Sequence, residues 1–365
     1  MRYTTTLNLL LEALAYLGSK ANGYTFAWIE ERLKAKGIQD MSALRQNFAP
    51  VNELIRQLDR ESPICEETLG RLFKDLDGFP FNTTGLYSPA FLLFYPALER
   101  YQDDLDAVLD YLESLSLDHT GRHILLSLNL GDNIGTSIDG CADLFINTVL
   151  SLTIPPESRL ALLELHRGSR TLIRQIGDCL RPVIQVLERC RDKLQVLADQ
   201  FGQELKALGF ENFLRNTTSL VIAENMHYDL RPFIFGLDTN LALEQYADAK
   251  EVVVHCAIMI NHLHQIFSSA KAPEVRVYDA IHLLGDRTRF DILCFLRDHP
   301  AYGSEISERL GLARNTIYHH MSKLLNADLV SCSVDGNRVC YVTNKERMSK
   351  LLSQMHCLLV GDPEQ

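Results

Sequence analysis

The sequence predicts a mainly α chain: a large helical N-terminal region with a small β element, then a second, smaller unit of helices closed by a hairpin. Three observations carry this. Apolar residues recur at three- and four-residue spacing through about the first 215 positions. Between Ser219 and about His262 the texture changes to short β-branched runs separated by turn residues. After "SSAKAPE" (Ser268 to Glu274), small, polar and Pro-containing, helical spacing returns and gives way to an alternating run around Asp335-Gly336-Asn337. The expected boundaries are 1–218 for a helical domain that senses or dimerises, 219–267 for a β/α element of the same region, 268–274 for a linker and 275–361 for a C-terminal domain.

The elements follow in order. "TLNLLLEALAYL" is apolar all round except for Glu12 and predicts a buried helix. "VNELIRQLDRE" and "DDLDAVLDYLESLSL" have one apolar face each. Pro155-Pro156 marks a break, and "PESRLALLELH" starts with Pro at the first helical position and an early Glu. The run from Pro182 to Phe210 reads as one long helix, with Val183, Val186, Leu187, Cys190, Leu194, Leu197, Phe201, Leu205 and Leu208 on one face. A stripe of that length is a core or a dimer seam. "SLVIA", "LRPFIFG" and "KEVVVHCAIMI" predict a sheet of two or three strands, the last run being readable as strand or helix.

Composition narrows the function classes. The formal charge of −11 argues against indiscriminate nucleic-acid binding. The charge is uneven, however: from Pro273 to Lys345 nine acidic and nine basic residues cancel, and from Leu312 to Lys345 four basic residues face two acidic ones. The longest apolar stretch, "AFLLFYPAL", is about half of what a bilayer needs, so no membrane span is expected. The N-terminal apolar run reads as a helix and not a signal peptide, which points to the cytoplasm. Nine scattered cysteines with no C-x-x-C pair form neither a disulfide framework nor a zinc ribbon, and are expected to be reduced and mostly buried. No phosphate loop, G-x-S-x-G, H-E-x-x-H or paired-carboxylate motif occurs, so neither an enzyme nor a cofactor is expected.

Two clusters contain metal-ligand residue types. His255, Cys256, His262 and His264 lie together, and on a helix His255 and His262 would share a face. The surrounding apolar run favours core packing, so no metal site is expected there. His119 and His123 are four apart, but Gly121 between them weakens a helix.

The C-terminal unit is the most informative. "VYDAIHLLGD" and "TRFDILCFLRDHP" read as two helices split at Gly285-Asp286-Arg287. In "GSEISERLGL", Ser304 is placed to cap a short helix, Ile306 and Leu310 are its buried pair, and Gly311 suits a tight turn of positive φ. The next helix starts near Arg314, with Ile317, Met321, Leu324 and Leu325 inward and Arg314, Asn315, Tyr318, Ser322 and Lys323 outward. His319 lies at the edge of the outer face and His320 leans inward. Adjacent helical residues point about 100° apart, so the two cannot chelate one ion.

Two short helices at a Gly turn, the second with a polar outer face, make a helix-turn-helix whose second helix fits the DNA major groove. Arg pairs with guanine edges and Asn with adenine edges, while Ser304, Thr316 and Lys323 are placed for phosphates. "LVSCSVDGNRVCYVT" then makes a wing, with Arg338 at its tip. With a three-residue turn, Cys332 faces Cys340 across that hairpin and the pair reads as two small apolar residues; a one-residue register shift puts them on opposite faces.

"LLGDRTRFDILCFL", "SEISERLGLARNTIYHHMSKLLNADLV" and "DGNRVCYVT", in that order over about 85 residues, resemble the ArsR-type winged helix-turn-helix regulators. The family usually has Pro where Arg287 stands and Ser where Ala313 stands; losing that Ser removes an N-cap worth roughly 1 kcal/mol. The family's metal-sensing cysteines have no counterpart in "SEISERLG", and the last helix holds only His356. The resemblance implies a DNA-binding transcriptional regulator, expected to be a repressor. Double-stranded DNA would be held by Arg289, Ser304, Arg314, Asn315, Thr316, Tyr318, His319, Ser322, Lys323 and Arg338. A homodimer and a small-molecule effector of the N-terminal region are further expectations. The alternative is a winged protein-interaction module without DNA binding.

Overall fold

The computed structural model describes residues 2–35, 40–79, 87–101, 104–128, 140–217, 227–236, 240–243, 251–259, 262, 273–335 and 338–361. The chain is mainly α. It opens with strand β1 (Arg2–Tyr3) and continues through α1 (Leu9–Ala21), α2 (Phe26–Ala35), α3 (Ser42–Glu61), α4 (Glu66–Phe73) and α5 (Pro89–Tyr101). Next come α6 (Leu105–Ser114), α7 (Leu117–Ser127), α8 (Cys141–Ser151), α9 (Pro156–Arg167), α10 (Ser169–Arg189), α11 (Arg191–Leu208) and α12 (Phe210–Thr217). Strands β2 (His227–Phe233), β3 (Asn240–Leu243) and β4 (Glu251–Ala257) complete this region.

α1 is the centre of the larger core. Asn8 caps it, its Oδ1 accepting the Leu11 N–H at 3.0 Å, and Leu9 through Gly18 are buried. α4, α5 and α10 pack around it. Glu12, the one acidic residue of this helix, is buried, and its two carboxyl oxygens accept the backbone N–H groups of Ile234 (2.8 Å) and Phe235 (2.9 Å), just beyond β2. One carboxyl group thus satisfies two buried donors at once, one through each oxygen. At α7, Gly121 allows the close approach of α8: a Cβ there would lie 3.0 Å from Phe145 Cβ. The helix the sequence left weak between His119 and His123 therefore forms, held by tertiary packing.

The long helix expected from Pro182 to Phe210 is two helices. α10 starts earlier, at Ser169, and runs through Pro182; it ends at Cys190, whose N–H is shared between the carbonyls of Val186 (3.1 Å) and Leu187 (3.0 Å). Cys190 keeps the apolar phase across the break, so periodicity alone hides it. Val183 to Leu205 of the stripe are buried in the larger core, which makes it a core face and not a dimer seam.

The sheet has four strands in the order β1-β2-β4-β3, parallel except for β3 against β4. The sequence predicted two or three strands and missed β1, a two-residue strand paired with residues 229–230. "SLVIA" lies outside the described residues, and "KEVVVHCA" is a strand. His255 and Cys256 therefore sit next to each other on β4, both fully buried, and not on a helix face with His262. His262 lies instead near Asn47 (Nδ2 to Nδ1, 3.2 Å) and Glu204 (3.5 Å); His264 is outside the described residues. Among the described residues no group of three or more His, Cys, Asp or Glu could hold a metal. No helix among them is long and apolar enough to cross a membrane.

A second, smaller core runs from Val277 to Leu351. It is built from α13 (Pro273–Leu284), α14 (Arg287–Leu296), β5 (Ala301–Tyr302), α15 (Gly303–Leu310), α16 (Arg314–Asn326), β6 (Val330–Asp335), β7 (Arg338–Thr343) and α17 (Lys345–Val360). Of the expected linker, 268–272 lie outside the described residues, and Pro273 and Glu274 already belong to α13. None of the nine cysteines forms a disulfide, but only Cys141, Cys190 and Cys256 are buried, fewer than expected.

Candidate DNA-binding surface

The reading unit is set up at the start of α15. Glu305 Oε2 accepts the Tyr302 N–H at 2.8 Å, which makes Tyr302 the N-cap and Ser304 the second residue inside the helix. Ser304 is thus not the cap the sequence suggested; the capping-box role of Glu305 outweighs the serine. Gly311 ends α15 with φ +65°, the left-handed conformation that glycine adopts without strain. The Ser307 hydroxyl donates to the Leu312 carbonyl at 2.5 Å and pins the turn. α16 starts after Ala313, which gives no side-chain cap, as its sequence implies.

Packing then orients α16. Ile317, Met321 and Leu324 are buried in the smaller core with Ile292, Leu296 and Ile306. Away from that face, His319 and Lys323 are exposed and Thr316 is half-buried. Arg314, Asn315, Tyr318 and Ser322 lie on α16, and Arg338 on β7, but their side chains lie outside the described residues. Arg309, a cation the sequence reading passed over, is exposed two residues before Gly311.

The two histidines that drew attention in the sequence differ in setting. Their rings are 6.0 Å apart and 74° inclined. His320 is half-buried, its Nδ1 3.5 Å from Asp286 Oδ1, beyond good hydrogen-bond range. Burial holds the His320 imidazole below its ordinary range, with Asp286 opposing. Burial, with Lys323 and Arg289 nearby, does the same to His319. At neutral pH both rings are neutral hydrogen-bonding groups.

Arg289 is a correction. The resemblance put it among the DNA contacts, but it is buried. Its Nε donates to the Leu283 carbonyl at 2.6 Å and its Nη2 to His282 at 3.4 Å, closing the C-terminal end of α13. Asp286 caps α14 by accepting the Arg289 N–H at 3.0 Å, and that bond holds its carboxyl below the usual range, with the Arg289 charge adding to it. A guanidinium held inside in this way does not face a ligand. The Asp-x-x-Arg spacing is the signal that could have shown this.

The wing is the β6–β7 hairpin in a sheet of order β5-β7-β6. Asp335 pairs with Arg338, so the turn has two residues, Gly336 and Asn337, which lie outside the described residues. The register shifts by one from the expected three-residue turn. Cys332 pairs with Tyr341 and Ser333 with Cys340, which puts the two cysteines on opposite faces and rules out a cross-strand bond between them. Cys332 packs against both cores, and burial pushes its thiol up to about 11.

Residues 286–331 match the model of a family described as bacterial regulatory protein, arsR family. No curated protein and no solved structure matches the chain. The matched span starts at the cap of α14, takes in α15, the Gly311 turn and α16, and ends in β6. The chain therefore carries, in its C-terminal region, an ArsR-family helix-turn-helix regulator domain.

Proposed function

We propose that the protein is a DNA-binding transcription regulator, a repressor, that reads an operator with α16 and answers a signal through its N-terminal region. One observation carries the reading: α15, the Gly311 turn and α16 fall inside the matched span, with α16 buried on one side and exposing His319 and Lys323 on another. In this reading Arg314, Asn315, Tyr318, His319 and Ser322 meet base edges. Ser304, Thr316 and Lys323 meet phosphates, and Arg338 reaches the backbone or minor groove from the wing. The protein works in the cytoplasm, has no catalytic activity and uses no cofactor. The body of α1–α12 and its sheet holds the effector, a small molecule.

A homodimer fits the same reading. α13 and α17 pack together and expose Tyr278 (68%), Leu352 (55%) and Leu359 (72%). Together they would suit a contact with a second copy. A second copy there would give two reading helices for two half-sites about one DNA turn apart.

The test is fluorescence anisotropy of the full chain with DNA from upstream of its own gene, across a salt series, beside an Arg314→Ala/Lys323→Ala variant. Tight, selective binding that weakens with salt and is lost in the variant supports the reading. No selective binding at low salt, on that DNA or on a random-sequence pool, moves the winged unit to protein docking.

A further inference from the structure

His320 is the histidine of α16 that the DNA reading leaves without a task. Its side chain is only 14% exposed and faces Asp286, the cap of α14. Its Nδ1 is shut off from solvent and has no hydrogen-bond partner. The facing oxygen, Asp286 Oδ1, is 3.5 Å away and already accepts the Arg289 N–H at 3.0 Å.

A neutral ring serves this position poorly. With its proton on Nε2, it turns a lone pair toward a carboxylate. With its proton on Nδ1, the donor stands too far from the acceptor for a good bond. A protonated ring carries N–H on both nitrogens, and a small closing of the gap gives a charge-assisted bond to Asp286. The surroundings decide whether the proton is held. Burial opposes it most, and Asp286 favours it. Arg289 from α14 and His319 and Lys323 from α16 itself oppose it. α15 and β6 also pack on α16, and neither contributes a charged group to those acting on the ring. Lys323 is exposed and is one of the groups assigned to phosphate. A phosphate seated on Lys323 offsets that repulsion and brings negative charge within a Debye length of the ring.

We propose that His320 and Asp286 form a proton-linked latch between the reading helix and the start of α14: DNA binding draws a proton onto His320, and the imidazolium closes on Asp286 and holds α16 in its reading position. The inference rests on the DNA-binding reading above. Its sign follows from linkage. The ring is neutral in the unbound chain at neutral pH and carries a proton in the complex. Affinity therefore rises as pH falls through the range in which the bound ring titrates, by at most about tenfold per unit for one proton. The rise ends where the unbound ring protonates as well.

The full chain is titrated with its selected DNA by fluorescence anisotropy from pH 7.5 to 5.5 at fixed salt, beside His320→Gln, Asp286→Asn and His319→Gln. Asn caps a helix as Asp does, so Asp286→Asn removes the charge and keeps α14. The wild type is expected to bind roughly tenfold more tightly at pH 5.5 than at 7.5. His320→Gln and Asp286→Asn should flatten that dependence, and His319→Gln, whatever its affinity, should keep most of it. Calorimetry of the wild type in two buffers of unlike ionisation enthalpy should show proton uptake on binding near pH 6.5, and needs no substitution. Selective binding at pH 7.5 with no pH dependence and no proton uptake overturns the latch and leaves the DNA reading standing. A dependence lost in His319→Gln and kept in His320→Gln also overturns it. No selective binding at any pH overturns both.

Discussion

Acid should weaken the N-terminal body through His123. This side chain is buried on α7, and its Nε2 lies 2.8 Å from the Leu93 carbonyl, so the neutral ring donates there. Burial drives its pKa from 6.5 down to about 4, with the Leu93 bond opposing. The unfolded chain binds a proton below about pH 6.5 that the folded chain refuses until about pH 4, so stability falls as pH falls through that window. At roughly 1.4 kcal/mol per unit, the whole effect is about 3 kcal/mol, of which about 2 is lost by a pH near 5. The assay is urea unfolding followed by the fluorescence of the single tryptophan, Trp28, which packs against the larger core and so reports on the body alone. The comparison is with His123→Gln, which keeps a donor near Leu93 but does not titrate. Other titrating groups are common to both chains and cancel in the difference. A wild-type-minus-variant stability that stays flat between pH 7.5 and 5 would refute the reasoning.

Three further outcomes follow from the same body. Asp75 is driven by burial from 3.8 up to about 6, against the N–H groups of Tyr87 and Ser88, so its burial penalty grows as pH rises through that window; Asp75→Asn should gain on the order of 2 kcal/mol at neutral pH, an advantage gone near pH 4 in the same urea assay. Glu12→Gln replaces one of the two acceptor oxygens with a donor NH2 facing a buried N–H, and should cost roughly 2–4 kcal/mol in unfolding free energy, with faster hydrogen exchange at the Ile234 and Phe235 amides. Gly202→Ala puts a Cβ 2.4 Å from Cε1 of Tyr3, whose hydroxyl is fixed on the Ala198 carbonyl at 2.6 Å; the overpacking should cost about 1–3 kcal/mol, read as a lower melting temperature, and an unchanged melting temperature would count against that contact.

Local signals were legible in the sequence, and long-range ones were not. Gly311 announced its turn because positive φ is a property of the residue itself, and the inward set Ile317, Met321 and Leu324 followed from period alone. α1 was legible as a buried helix because it is apolar all round. The purpose of Glu12 was not, since its partners stand 222 and 223 residues away. β1 escaped for the same reason: two residues carry no alternation, and only β2 makes them a strand. Ser304 lost the capping role because the helix starts two residues earlier, where Glu305 reaches back to accept the Tyr302 N–H. The wing register turned on a single residue of turn length, which the Asp-Gly-Asn run does not fix.

The distance between Glu12 and the amides it holds bears on how the body is made. α1 is synthesised some 222 residues before the backbone N–H groups that satisfy its buried carboxyl, and also before α10, which covers its flank. For most of synthesis it is a bare oily rod carrying an unanswered carboxylate. Pairings this far apart in the chain close slowly, and exposed apolar segments aggregate while they wait. The yield of folded protein in a cell should therefore depend on holdase chaperones engaging the nascent chain early, and on translation speed between α1 and β2 more than anywhere in the winged unit.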